Sequence, residues 1–214
     1  MSSLKKSFTI KNKCIGVCAK RNSGKSCMMK YIVEKAKHLF KQIILISPTE
    51  KINHYYKDIV DEKFVFDELN ENWIKRLIEK MTKMNSGKTD KEKTDILLIL
   101  DDVCTDNNMK SKPFMSLFTR GRHLNISIII SMQYPYHLPP LVRANFDYLL
   151  VSQMNQQSID LIYDEYISHM DRKEFNNLYK KSVVDYNFLL INCNTVKDLD
   201  DVSEIYSLIK CDVK

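Results

Sequence analysis

An amine, a hydroxyl and two carboxylates are the groups in this chain whose types and spacing suit chemistry on a triphosphate. The stretch Ala19-Lys20-Arg21-Asn22-Ser23-Gly24-Lys25-Ser26 follows the pattern G-x-x-x-x-G-K-[ST], with Ala19 where the first glycine stands. In such a loop successive backbone N–H groups point at one anionic centre, and the N-terminus of the following helix adds its positive end. Gly24 lets the backbone approach the phosphates closely. Lys25 is placed to reach the β- and γ-phosphates as a point charge, and Ser26 to offer its hydroxyl to Mg²⁺. Ala19 tolerates positive φ poorly, so the loop is expected to begin in an extended or right-handed helical conformation.

The second group lies far downstream. Ile96-Leu97-Leu98-Ile99-Leu100 is an apolar run that delivers Asp101 and Asp102 at its C-terminal end. In an open parallel sheet that is the end where ligands sit. Asp101 is expected to hold Mg²⁺, directly or through water, and Asp102 to accept a proton from the attacking water or to orient it. A third apolar strand, Ile126–Ser131, runs out through Met132 to Gln133. If it lies beside the Asp101 strand, Gln133 can sense the γ-phosphate or position water.

These groups work only if particular elements carry them. The phosphate loop needs a strand before it and a helix after it. Cys14–Cys18 supplies the strand, and Met28, Ile32, Ala36 and Leu39 recur at helical spacing through a helix from Lys25 to about Phe40. Ile43–Ser47 reads as a second strand, ended by Pro48. An edge strand at Phe8–Ile10, a helix near Ile52–Ile59 and a strand at Phe64–Phe66 are also expected. Trp73, Ile74, Leu77, Ile78, Met81 and Met84 mark an amphipathic helix with Asn70 or Asn72 as its cap. Pro113 opens a short helix, Phe114–Thr119, that Gly121 is expected to close. Tyr148–Ser152 and Phe188–Ile191 read as strands. Residues 156–181 read as two helices broken near Ser168–Asp171, and Asp198–Ile209 fits either helix or strand.

Composition bounds the class. With 44% hydrophobic and 28% charged residues in 214, the chain can bury a sizeable core, and we expect one ATPase domain over 1–214, with 1–13 as a polar lead-in and 153–214 as C-terminal helices and strands. No apolar run is long enough to span a bilayer, and the N-terminus lacks the apolar segment of a secretory signal. The six cysteines lack paired or zinc-type spacing and read as reduced thiols. A net charge of +6 is compatible with nucleic acid without demanding it. Lysine greatly outnumbers arginine, yet Arg21, Arg120, Arg122 and Arg143 all fall in the stretches singled out for nucleotide chemistry, where a planar, always-charged fork has a use.

GKS, LLILDD, RGRHLNISIIISMQ and LPPLVRANFDY, taken together, resemble the viral genome-packaging ATPases of the FtsK–HerA superfamily, found in poxviruses, other large DNA viruses and virophages. The resemblance runs from Cys14 to Ser152, and its most specific piece is Arg122-His123 leading into the strand that ends at Gln133. It implies an α/β P-loop NTPase sandwich of three layers, with a mostly parallel sheet in the additional-strand order 5-1-4-3-2 and extra C-terminal strands. It also implies ATP and Mg²⁺ as ligands, a ring of identical subunits, double-stranded DNA as the moved substrate, a capsid or portal-vertex partner, and residence in the host cytoplasm or virion. An arginine of one subunit is expected to reach its neighbour's nucleotide: Arg122 first, then Arg143, then Arg120. Lys110 and Lys112 are candidates for gripping DNA. Asp102, where many relatives carry glutamate, is a short base. A small-molecule kinase and a nucleotide-dependent regulatory protein remain as rivals, but the chain has neither a compact arginine-rich lid nor an N-K-x-D segment.

Overall fold

Apolar residues in successive strands bury both of their faces, and this sets the layering. The computed structural model describes residues 8–104, 109–167, 170–194 and 206–210. The strands are β1 (Cys14–Cys18), β2 (Gln42–Ile46), β3 (Val65–Phe66), β4 (Ile96–Leu100), β5 (Ile126–Met132), β6 (Tyr148–Val151), β7 (Asn187–Asn192) and β8 (Tyr206–Lys210), joined in one sheet in the order β3-β2-β4-β5-β1-β6-β7-β8. All neighbours are parallel from β3 to β6, and β7 and β8 add antiparallel at one edge. Within this sheet β6-β1-β5-β4-β2 reproduces the expected 5-1-4-3-2 order.

One face of the sheet carries Ile15, Val17, Leu45, Leu97, Ile99, Ile129 and Leu150, covered by α1 (Lys25–Ala36) through Met28, Met29, Ile32 and Val33. Each such side chain contributes about 1.5–3 kcal/mol by leaving water. The other face carries Cys18, Ile46, Leu98, Leu100, Ile128, Ile130 and Val151. After the short α2 (Glu50–Asn53), α3 (Glu71–Asn85) and α4 (Lys112–Arg120) cover that second face, and beyond the one-turn α5 (Pro140–Arg143) so do α6 (Gln156–Ile162) and α7 (Arg172–Ser182). The period-2 alternation inside a continuous apolar run is thus resolved into two cores, as expected of strands buried on both sides.

Several local expectations are corrected. Phe8–Ile10 is not a strand, although Ile10 is buried. The helix expected at Ile52–Ile59 is only the turn Glu50–Asn53, which His54 ends in the left-handed region (φ 49°) and which leaves Ile52 exposed. The first helix stops at Ala36, followed by a 3₁₀ turn, Lys37–Leu39. Ser111 caps α4 and Gly121 follows its last residue as the C-cap, as expected, but with a right-handed φ of −52°: the chain goes on into a 3₁₀ turn, Gly121–Leu124, that ends at Asn125 with φ 58°. Helix α6 runs on into a π turn, Tyr163–Ile167, before the expected break, of which residues 168–169 lie outside the described residues. The described part of the ambiguous tail, Tyr206–Lys210, is a strand. Cys14, Cys18, Cys104 and Cys193 are free thiols, but Cys27 is disulfide-bonded, against the expectation of reduced cysteines throughout. Among the described residues no helix is long and apolar enough to cross a membrane.

Candidate active site

The loop after β1 is anchored from below by the strands on either side: Ala19 N–H donates to the Met132 carbonyl (3.1 Å) and Lys20 N–H to the Gln153 carbonyl (2.7 Å). Ala19 is fully buried and lies outside the left-handed region, as a residue with a Cβ requires there. The left-handed positions fall instead on Asn22 (φ 60°) and Gly24 (φ 82°). Space alone does not demand glycine at 24, because a Cβ would meet nothing nearer than the Tyr186 ring at 3.4 Å; the backbone conformation demands it. Helix α1 starts at Lys25 with Gly24 at its cap, so the loop N–H groups and the helix N-terminus open on one cavity.

That cavity, ≈ 670 Å³, is lined by Arg21, Asn22, Gly24, Lys25, Ser26 and Cys27 from the loop, by Asp101 and Asp102 beyond β4, and by Gln133 beyond β5. Its volume suits a nucleotide-sized ligand. Lys25 Nζ donates to the carbonyls of Ala19 and Lys20, 3.0 Å each, so the amine lies folded on its own loop. Burial lowers the Lys25 pKa, and Asp102, Cys18 and Asp101 oppose that shift in decreasing order. Ser23 is buried with its hydroxyl unpartnered. Cys18, beneath the loop, has a thiol pushed far above its usual range by burial.

The carboxylates are fixed by residues that sequence reasoning passed over. Ser131 Oγ donates to Asp101 Oδ1 at 2.7 Å and accepts from the Asp102 N–H at 2.9 Å. Tyr56 Oη donates to Asp101 Oδ2 at 3.0 Å and lies 3.5 Å from the Ser26 carbonyl, which ties the two halves of the site together. Burial, and then the charge of Asp101, keep the Tyr56 phenol protonated well above its usual range, so it acts as a donor. Asp102 sits in the left-handed region (φ 57°), which aspartate tolerates, and its carboxylate is exposed to the cavity. Ser131 left a signal, a hydroxyl inside the apolar run IIISM; Tyr56 left none, since its loop has no regular periodicity.

Ser26 and Asp101 line the same cavity, and Asp101 retains lone pairs beyond the two hydrogen bonds it accepts. That donor set of hard oxygens fits Mg²⁺ bound jointly by protein and phosphate rather than by an all-protein cage. No group of three or more His, Cys, Asp or Glu able to hold a metal occurs among the described residues.

The arginines part company. Arg122 is exposed in the turn before β5, at the end of the sheet opposite Asp101 and Gln133, so it faces away from its own cavity. Arg120 is exposed at the end of α4. Arg143 is 8% exposed and committed inside the fold: its guanidinium binds Glu165 Oε2 at 2.8 Å and Oε1 at 2.6 Å and donates to the Leu138 carbonyl. A fork so held cannot extend to a neighbour without breaking that network, so the structure places Arg143 among the supports of the fold. Lys110 and Lys112 are exposed at the start of α4.

The chain is similar to several known proteins. The Poxvirus A32 protein family matches residues 4–198. Protein 075L of Invertebrate iridescent virus 6 is 30% identical over 193 residues, which is 89% of this chain and 74% of that protein. Protein 015R of Frog virus 3 (isolate Goorha) is 26% identical over 185 residues, 85% of this chain but 57% of that longer protein. Among solved structures, the genome packaging NTPase B204 from Sulfolobus turreted icosahedral virus 2, in complex with AMPPCP, superimposes with a TM-score of 0.66 at 19% identity, covering 93% of this chain and 97% of its own. The last of these bears on fold alone. By the extent of the family match and the iridescent-virus relative, the chain belongs to the poxvirus A32 protein family.

Proposed function

We propose that this chain is an ATP-hydrolysing motor that moves double-stranded viral DNA into a capsid, working as one ATPase unit in a ring of identical subunits. The observation that carries this reading is the convergence of Lys25, Ser26, Asp101, Asp102 and Gln133 on one cavity. Family membership and the B204 fold support the packaging role. Action in a virus factory of the host cytoplasm or in the virion, beside a portal-vertex component, follows from that role.

The triphosphate lies along residues 19–27, with its oxygens toward the loop N–H groups. Lys25 leaves the Ala19 and Lys20 carbonyls for the β- and γ-phosphate oxygens. Ser26 and Asp101 would hold Mg²⁺, which neutralises phosphate charge when bound. Asp102 and Gln133 orient a water in line with the γ-phosphate, and ADP and phosphate result. Arg122, on the face opposite its own cavity, would serve a neighbouring subunit's nucleotide; such arginines are worth on the order of a thousandfold or more in rate. Release of phosphate loosens the subunit boundary and moves the surface that carries Lys110 and Lys112. Their grip on the phosphate backbone is independent of sequence and sensitive to salt.

The test is ATPase rate against protein concentration, with and without double-stranded DNA. Specific activity that rises steeply with concentration and again with DNA is expected of a ring with a shared site. Flat activity indifferent to DNA contradicts it, and phosphate transfer to a small acceptor would favour the kinase reading instead.

A further inference from the structure

The cavity has a third acidic group that neither the loop motif nor the Asp101-Asp102 pair includes. Strand β2 lies beside β4 with Ile46 level with Leu100, and the Asp101 N–H donates to the Ile46 carbonyl (3.0 Å). The chain leaving β2 therefore emerges next to Asp101. Pro48 turns it, and Glu50 begins the single turn α2 over the cavity, which it lines. Glu50 is 4% exposed. Its Oε1 accepts from the Tyr56 N–H at 2.7 Å, while its Oε2 is buried and has no partner. Leaving a buried carboxylate oxygen unpaired is costly, and native proteins hold one where a ligand, a water or a reacting group completes it.

The other two carboxylates are less suited to take a proton. Asp101 has both oxygens occupied by Tyr56 and Ser131, and Asp102 is the shorter, exposed group. We propose that Glu50 is the proton acceptor of the hydrolysis site, with Oε2 directed at the attacking water and Oε1 locked by the Tyr56 backbone. As the water oxygen bonds to the γ-phosphorus and the bond from that phosphorus to the bridging oxygen of ADP breaks, the water's proton passes to Glu50 Oε2 and then to solvent. Tyr56 joins the two functions: its backbone aims Glu50 and its hydroxyl aims Asp101. This deepens the ATPase reading and rests on it.

The test is Glu50→Gln beside the wild type. Glutamine keeps an oxygen for the Tyr56 N–H but cannot take the proton. Expected are a fall in kcat of about a hundredfold or more, an affinity for AMPPCP within about threefold of wild type, an unchanged Mg²⁺ requirement and an unchanged Tm. A native kcat overturns the proposal, since a structural acceptor is all that remains. A rise in the Mg²⁺ requirement with full kcat at saturating Mg²⁺ also overturns it, assigning Glu50 to the metal. If the glutamine protein does not fold, Glu50→Asp, which keeps the charge but withdraws it by one methylene, must show the same loss of kcat at retained AMPPCP binding; full activity there overturns it. Absence of hydrolysis by the wild type itself would count against the ATPase reading rather than against Glu50.

Discussion

Tyr56 Oη donates to Asp101 Oδ2 at 3.0 Å from a loop that neither the phosphate motif nor the β4 strand specifies. The bond holds one Asp101 oxygen while Ser131 holds the other, so the carboxylate is oriented before any ligand arrives. Tyr56→Phe removes the donor and keeps the ring in place. The expected result is a stability loss of about 1 kcal/mol and a raised Mg²⁺ requirement for hydrolysis, read by thermal melting and a Mg²⁺ titration. An unchanged Mg²⁺ dependence would detach Tyr56 from Asp101's role.

Ser131 serves both acidic residues at once. Ser131→Ala leaves the Asp102 N–H and Asp101 Oδ1 without the partner they share, in a position 1% exposed. A loss of about 1–3 kcal/mol is expected from the groups left unpaired, with a larger fall in kcat than in analogue affinity. Denaturant melts and steady-state kinetics check the two halves of this prediction.

The arginines should separate by readout. Arg143→Ala strands Glu165 and the Leu138 carbonyl, and should cost about 2–4 kcal/mol, a Tm lower by roughly 5–15 °C. Arg122→Ala removes an exposed side chain, so Tm should hold, while hydrolysis falls on the order of a thousandfold and AMPPCP binding remains. Mixing Arg122→Ala with Lys25→Ala subunits should restore part of the activity if the arginine acts across a boundary; no recovery argues for action within one subunit.

Lys25 gives a pH signature. Burial lowers its pKa in the free protein, outweighing Asp102, Cys18 and Asp101. A bound triphosphate favours the charged amine and raises that value. Between the two values binding takes up a proton, so affinity falls as pH rises through that alkaline interval and is unaffected below it. Calorimetric titration with AMPPCP in two buffers of different protonation enthalpy measures the uptake; none at alkaline pH contradicts contact between the amine and the phosphates.

What was legible in the sequence was whatever a local pattern encodes. β4 falls on Ile96–Leu100 as expected because it is a continuous run of isoleucine and leucine, β1 falls on Cys14–Cys18 because a short apolar stretch leads directly into the phosphate loop, and the Asn70 cap of α3 follows from its side-chain chemistry. Gly24, Lys25, Ser26, Asp101, Asp102 and Gln133 were readable as a set and meet in one cavity. Residues fixed by tertiary contact were not readable. Glu50 sits in a single helical turn and Tyr56 in the irregular chain after it, and Tyr56 meets Asp101 only when β2 is placed against β4. Arg143 reads like any exposed arginine until Glu165, on a segment far along the chain, closes over it. Gly121 ends α4 as read, but the left-handed residue comes later, at Asn125, because the chain tightens to 3₁₀ after the helix.

The measurement that bears most directly on the account is the rate of ATP hydrolysis by Lys25→Ala beside the wild type, with saturating Mg²⁺ and double-stranded DNA. A single triphosphate site built from that amine and Asp101 predicts a wild-type rate stimulated by DNA and a variant rate lower by about a hundredfold or more, at equal Tm. A folded Lys25→Ala protein that turns over ATP as fast as the wild type would mean that the phosphates are held and cleaved somewhere else.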